Sequence, residues 1–345
     1  MKKKLIYPLA CLAALLAAGC SNDGGPAGLP EETPAVTFRI DTRADIDDGV
    51  QLTRLYLGER KPEHATEDME HLHLNSYVDI TGGKVTLEGL MPQWYKFVFL
   101  CVPDIAGTGK AIFTVEDPLE GSCDLNDVMI DYLPVLNLPA GSAMQSTDPT
   151  VLQPTPDGNI YRKVINRWVT IPGEGEAYDD EDVTLTRLNG QLIIDMGVLE
   201  DQFGGIDNFE QGKVTVTLTV NDTPTRLYVT DNDADEVKTA APQTISWTTT
   251  PTPNTVGNDT DPTQRHLITV NLLPGMLSGS ITVKTPEGEY TYPLQGDNGQ
   301  VSIKKNTQTK LIFNGVKAND FTVQYAGFAD TGIDVDTDDW DGWTE

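Results

Sequence analysis

Residues 213–220, Lys-Val-Thr-Val-Thr-Leu-Thr-Val, decide the fold of this chain. Val214, Val216, Leu218 and Val220 alternate with Thr215, Thr217 and Thr219. Side chains on a strand change face at every residue, whereas a helix repeats about every 3.6. The stretch is therefore a half-buried antiparallel strand, apolar on one face and hydroxyl-bearing on the other. Downstream, residues 225–229 are expected to fold back on it across Asn221-Asp222-Thr223-Pro224. Strand character returns at 243–248 and 266–272. Residues 280–284 and 289–294 form a hairpin across Thr285-Pro286-Glu287-Gly288, and 301–304, 309–313 and 320–325 complete the series.

The same signal runs upstream. Residues 36–40, 52–57, 71–80 and 84–88 alternate, and 111–115 adds a further candidate strand. Tyr95 to Val102 is apolar on both faces, which marks a central strand covered on both sides. Residues 134–159 are rich in Pro, Ser and Thr and read as a long loop, and 162–171 is a strand. Residues 172–182, PGEGEAYDDED, are a composition break of Gly and dense acid, after which 183–188 and 190–195 begin a second strand series. The chain is thus expected to be all-β, with two tandem β-sandwich domains at 36–180 and 181–345. No tandem repeat of fixed period is present.

The N-terminus reads differently. Lys2, Lys3 and Lys4 precede an apolar run from Leu5 to Ala18 that ends in Leu16-Ala17-Ala18-Gly19-Cys20. The run is shorter than the roughly 20 residues that cross a bilayer, and has the form of an export signal. Small residues before a cysteine make a lipobox. Residues 1–19 are expected to be removed and Cys20 to be acylated, palmitate included. Two or more acyl chains make a stable anchor. Residues 20–35 carry Gly, Pro and acid with little to bury and read as a flexible tether.

Charge excludes one class of function. The chain has 24 basic and 52 acidic residues, a net charge of −28, and loss of the leader removes three more lysines. Nucleic-acid binding needs a basic face, so no nucleic acid is expected as a partner. Contact with a membrane is expected through the lipid alone.

Candidate sites are few. Cys101 and Cys123 remain once Cys20 is lipidated, and in an oxidising compartment they are either a disulfide or two buried thiols. His71 and His73 share a strand face with His64 nearby, but no third zinc ligand is visible. Asp334, Asp336, Asp338 and Glu345 have calcium-loop spacing, yet Asp339 stands where such a loop needs glycine. In the similar alternation of Asp231, Asp233 and Asp235 the glycine is replaced by Glu236. Neither a metal nor a cofactor is expected. Walker, GxSxG, HExxH and GxGxxG signatures are missing, so the chain is read as non-enzymatic. Of Trp94, Trp168, Trp247, Trp340 and Trp343, the last two, on the acidic tail, are the expected exposed candidates for stacking on sugars.

The order of these segments resembles a known family. A lipobox and an acidic tether lead to Val36-Thr37-Phe38 and then Thr42-Arg43-Ala44. Val183-Thr184-Leu185-Thr186-Arg187-Leu188 opens the second half. This is similar to the fimbrillin superfamily of Bacteroidales, which includes fimbrial anchor lipoproteins. The resemblance implies two transthyretin-like sandwiches, a place in the fimbrium on the cell outer membrane, and fimbrial subunits as partners. It also implies assembly by exchange of strands, opened in stalk subunits by a cut after an arginine. Arg43, before Arg39, is the residue placed for it. The function expected is that of an anchor or accessory subunit. The alternative is a standalone adhesin for a glycan or a host protein.

Overall fold

A computed structural model describes residues 35–41, 51–59, 72–80, 83–103, 124–131, 151–152, 159–170, 179–203, 205, 207–208, 211–230, 237–251, 255–256, 259–260, 267–296, 299–316 and 320–327. The described chain is mostly strand, as the alternation predicts, with one short α-helix at Leu199–Gln202.

The first sandwich pairs a three-stranded sheet with a five-stranded one. In the smaller sheet β1 (Ala35–Asp41) lies between β4 (Lys84–Glu88) and β9 (Asp179–Thr184). It runs antiparallel to β4 and parallel to β9. The larger sheet has the order β10 (Thr186–Arg187), β8 (Tyr161–Trp168), β5 (Trp94–Pro103), β2 (Gln51–Glu59), β3 (His73–Ile80). Val36, Phe38 and Ile40 from one sheet meet Leu55, Leu57, Phe97 and Phe99 from the other. The acidic stretch 172–182 expected to divide the chain runs into β9, which is bonded to β1 along its whole length.

The second sandwich has its own core. One sheet has the order β21 (Phe321–Gly327), β20 (Thr307–Phe313), β11 (Gly190–Asp195), β16 (Leu267–Leu272), β7 (Val151–Leu152). The facing sheet runs β13 (Thr239–Thr249), β12 (Thr215–Tyr228), β17 (Gly275–Thr285), β18 (Gly288–Pro293). Val216, Leu218 and Val220 point inward, as their alternation requires. On the outer face Thr217 bonds Thr248 at 2.9 Å and Thr282 bonds Thr291 at 3.1 Å. The hairpin expected across residues 285–288 is present as the β17–β18 pair.

One expectation fails. Residues 225–229 do not fold back on 213–220. They continue it, as the far end of the 14-residue β12. Asn221 and Asp222 form a bulge rather than a turn: Asp222 takes φ 52°, and the register against β13 shifts between Val220 and Thr223. A bulge bends and twists a strand without ending it. The bend carries Leu227 and Val229 out of the second core, and Arg226–Tyr228 pair with β6 (Met129–Asp131).

That end of β12 belongs to a third core, which joins the sandwiches. Tyr56, Leu74, Val98, Leu100 and Val102 face away from the first core. They are covered by Leu125, Val128, Ile130, Leu188, Leu227 and Leu273. Strand β5 is thus buried on both faces, as its composition predicts.

Candidate functional site

The element best placed for a role in assembly is β1 with its surroundings. Its sequence alternates apolar and polar, AVTFRID, and so sorts cleanly between core and surface. Val36, Phe38 and Ile40 are buried, and the Phe38 ring lies 4.8 Å from Phe97 and 5.0 Å, edge-on, from Phe99. On the outer face Thr37 bonds Thr86 at 3.0 Å and Arg39 is exposed. Main-chain pairing holds both edges: Ala35–Arg39 against β4, and Val36–Asp41 against β9. The Ile40 N–H adds a bond to the Gly83 carbonyl at 2.8 Å. Taking β1 away would leave two unpaired strand edges and a file of apolar side-chain sockets between them. That arrangement is what strand addition uses: main-chain bonds give affinity, and alternate pockets give register.

The placement of β1 separates the two arginines. Arg39 is inside the strand, its Cα opposite Lys84 on one side and Asp182 on the other. A protease binds its substrate extended and free on at least one edge, so the bond after Arg39 is shielded. Arg43 lies two residues beyond the end of β1, outside the described residues, as do Cys20 and Cys123. Cys101 is fully buried in β5. Burial pushes its thiol pKa up, against the opposing pull of a Thr53 hydrogen bond. Such a thiol stays protonated and is a poor nucleophile.

Other expected positions give less. His64, His71, Trp340, Trp343, both calcium-like clusters and the candidate strand at 111–115 lie outside the described residues. Among the described residues no three His, Cys, Asp or Glu are grouped to hold a metal, and no helix is long and apolar enough to cross a membrane. Trp247 is buried in the second core.

Trp94 and Trp168 were not singled out by the sequence, and the structure brings them together. They are partners across β5 and β8, with ring centroids 6.0 Å apart and planes at 76°. Both are exposed. Parity does not mark them: Trp94 shares the strand face of Val98 and Leu100, which the third core covers, and it is exposed because it stands at the very start of β5.

No family model matches the chain, and no curated protein matches it. Solved structures do. The fimbrial anchor protein Mfa2 of Porphyromonas gingivalis is 9% identical with a TM-score of 0.43, the match covering 86% of this chain and 98% of that one. A fimbrial assembly protein of Parabacteroides distasonis is 12% identical with a TM-score of 0.40, covering 85% and 99%. A candidate adhesin of Bacteroides thetaiotaomicron is 10% identical with a TM-score of 0.45, covering 85% and 96%. All three are proteins of Bacteroidales.

Proposed function

We propose that this chain is a non-enzymatic, fimbrium-associated surface lipoprotein, lipidated at Cys20 on the outer membrane and acting as an anchor or accessory subunit. The observation that carries this reading is the position of β1. It is the first described strand after the lipobox, and it is bonded on both edges. A pull on Cys20 reaches the fold at Ala35 and acts along the axis of β1. Both ladders are then loaded in shear, so their bonds share the load instead of opening one at a time. This is the geometry an anchor needs. The same slot supports β-strand complementation with fimbrial subunits, since a donated strand would meet two edges and the sockets of Val36, Phe38 and Ile40.

In this reading the two domains meet at Leu188–Gly190. The support is that β9 and β10 pair with strands of the first sandwich, while β11 begins the second at Gly190. The test is the N-terminus of the protein recovered from its native cell surface, read by mass spectrometry. An acylated Cys20 is expected. A chain starting at Ala44 would overturn the anchor role and make the protein a polymerising subunit that discards its lipid.

A further inference from the structure

Six large hydrophobic side chains stand exposed among the described residues, and three of them gather at one pole of the first sandwich: Met91, Trp94 and Trp168, at 72%, 37% and 47%. The pairing registers fix where that pole is. Ala35 at the start of β1 lies opposite Glu88 at the end of β4. Residues 89–93 then cross from one sheet to the other and deliver Met91 and Trp94. Trp168 is the cross-strand partner of Trp94, and the Val169 N–H bonds the Gln93 carbonyl at 2.9 Å, tying the end of β8 to the same crossing. Strand β9 also begins here, with Asp179 opposite Val36. The second sandwich is joined at the other end of these strands, where the Leu188 N–H bonds the Ile160 carbonyl at 2.8 Å. The exposed aromatic pair is thus at the pole where the chain enters the fold from Cys20.

We infer that this pole is a membrane-contact surface, with Met91, Trp94 and Trp168 seated in the headgroup layer of the bilayer that holds the lipid. The inference rests on the proposed acylation of Cys20. Residues 21–34 separate the lipid from β1, and fourteen residues reach at most ~50 Å fully extended and roughly 20 Å as a coil. The pole is therefore confined close to the bilayer surface. Tryptophan suits that layer: its ring is apolar, its indole N–H is polar, and it concentrates at membrane–water interfaces. Trp94 and Trp168 pack edge to face and are held by two strands, so little conformational freedom is lost when they insert. Exposed Glu88 at the rim and a net charge of −28, made more negative by loss of the leader's three lysines, repel anionic lipid. The surface that fits is a zwitterionic one.

The contact orients the molecule. An acyl anchor alone lets the fold tumble at the end of its tether. A second contact at the pole stands the strands of the first sandwich off the membrane and presents the second sandwich outward.

The test replaces the acyl group, so that it does not depend on lipidation in the cell. Residues 21–345 with a hexahistidine tag at the N-terminus are bound to phosphatidylethanolamine–phosphatidylcholine vesicles that contain a nickel-chelating lipid. Lipids brominated near the headgroup quench tryptophan emission on contact. The tethered protein is expected to be quenched, and the Trp94→Phe/Trp168→Phe variant to lose roughly half or more of that quenchable signal. Both side chains are exposed and remain aromatic, and circular dichroism checks that the variant is folded. Iodide gives a second reading, since tethering should shield the wild-type pair from aqueous quenching. Equal bromolipid quenching in wild type and variant, or undiminished iodide access after tethering, overturns the inference. An unlipidated Cys20 in cells would instead overturn the anchor reading and leave the vesicle result standing.

Discussion

Phe38 and Phe97, with ring centroids 4.8 Å apart, join the first described strand to the central strand of the facing sheet. Both are fully buried. Phe38→Ala empties the deepest socket of the β1 slot and should cost about 3–5 kcal/mol. The loss should read as a lower denaturant midpoint. In cells the same variant should shed more protein into the medium, because a loosened β1 exposes to proteolysis the bond after Arg39 that its two ladders shield. Shedding unchanged alongside a lowered midpoint would mean that pairing of β1 is not what protects the bond after Arg39.

The bulge in β12 gives a second prediction. Asp222 holds φ 52°, a left-handed conformation that side chains other than Gly, Asn and Asp rarely adopt. Asp222→Asn should be close to neutral, and Asp222→Val should cost on the order of 1–2 kcal/mol. Thermal unfolding of the three proteins checks the ranking. Equal stability would show that the bulge relaxes freely, and the bend that carries Leu227 into the third core would then need another cause.

The two sandwiches were largely legible because alternation is a local signal. Residues 213–220 and 95–102 announced their burial directly. What stayed hidden is what alternation does not encode. Residues 221–224 have turn chemistry, and only their packing between β13 and β17 makes them a bulge instead. The pairing of β1 with β9 joins segments some 140 residues apart, and the cover of Val98 and Leu100 by Leu227 crosses from one sandwich to the other. Neither has a sequence-local cause. Among the tryptophans, no local pattern distinguishes Trp94 and Trp168: they share strand faces with Val98 and Val164, which pack in the third core, and are exposed because they stand at the strand ends.

Gly279 makes a third prediction. It lies opposite Val220 in the β12–β17 pair with φ 140°, and a β-carbon there would run into the Thr219 carbonyl oxygen. Backbone cannot step aside as a flexible side chain can. Gly279→Ala should therefore cost on the order of 3 kcal/mol, from strain and from forcing the strands apart. Gly89, also at positive φ but with open space around it, should tolerate alanine at the lower cost of backbone strain alone. Chemical denaturation of the two variants separates the contributions. Similar losses would mean that close approach at Gly279 is unimportant.

Alkaline pH should weaken the third core. Burial pushes the Tyr56 hydroxyl up to about 12, only partly offset by the Arg54 guanidinium. The unfolded chain releases this proton near pH 10, and the folded one does not. The stabilisation is complete below pH 10 and is lost as pH rises toward 12, an amount of about 2–3 kcal/mol. Buried Cys101, also pushed up, adds to the same loss. Denaturant midpoints should therefore fall between pH 9 and 11.5, and Tyr56→Phe should flatten most of the slope. A variant as steep as the wild type would assign the loss to other groups.

The shielding of Arg39 and the position of Arg43 make the last prediction. Limited trypsin digestion of the mature protein should cut after Arg43 while the bond after Arg39 survives, because β1 is paired on both edges there. Cutting does not by itself empty the slot. Residues 35–41 remain held by two ladders and three buried side chains, so the peptide should co-elute with the fold on gel filtration. Mild denaturant, below the midpoint of the whole protein, should release it, and the emptied protein should then capture an added peptide spanning residues 35–43. An Arg43→Gln variant should resist the cut and keep its first strand throughout. Cleavage after Arg39 at a rate matching Arg43 would show that β1 opens readily, and a strand that opens readily holds neither a load nor a slot.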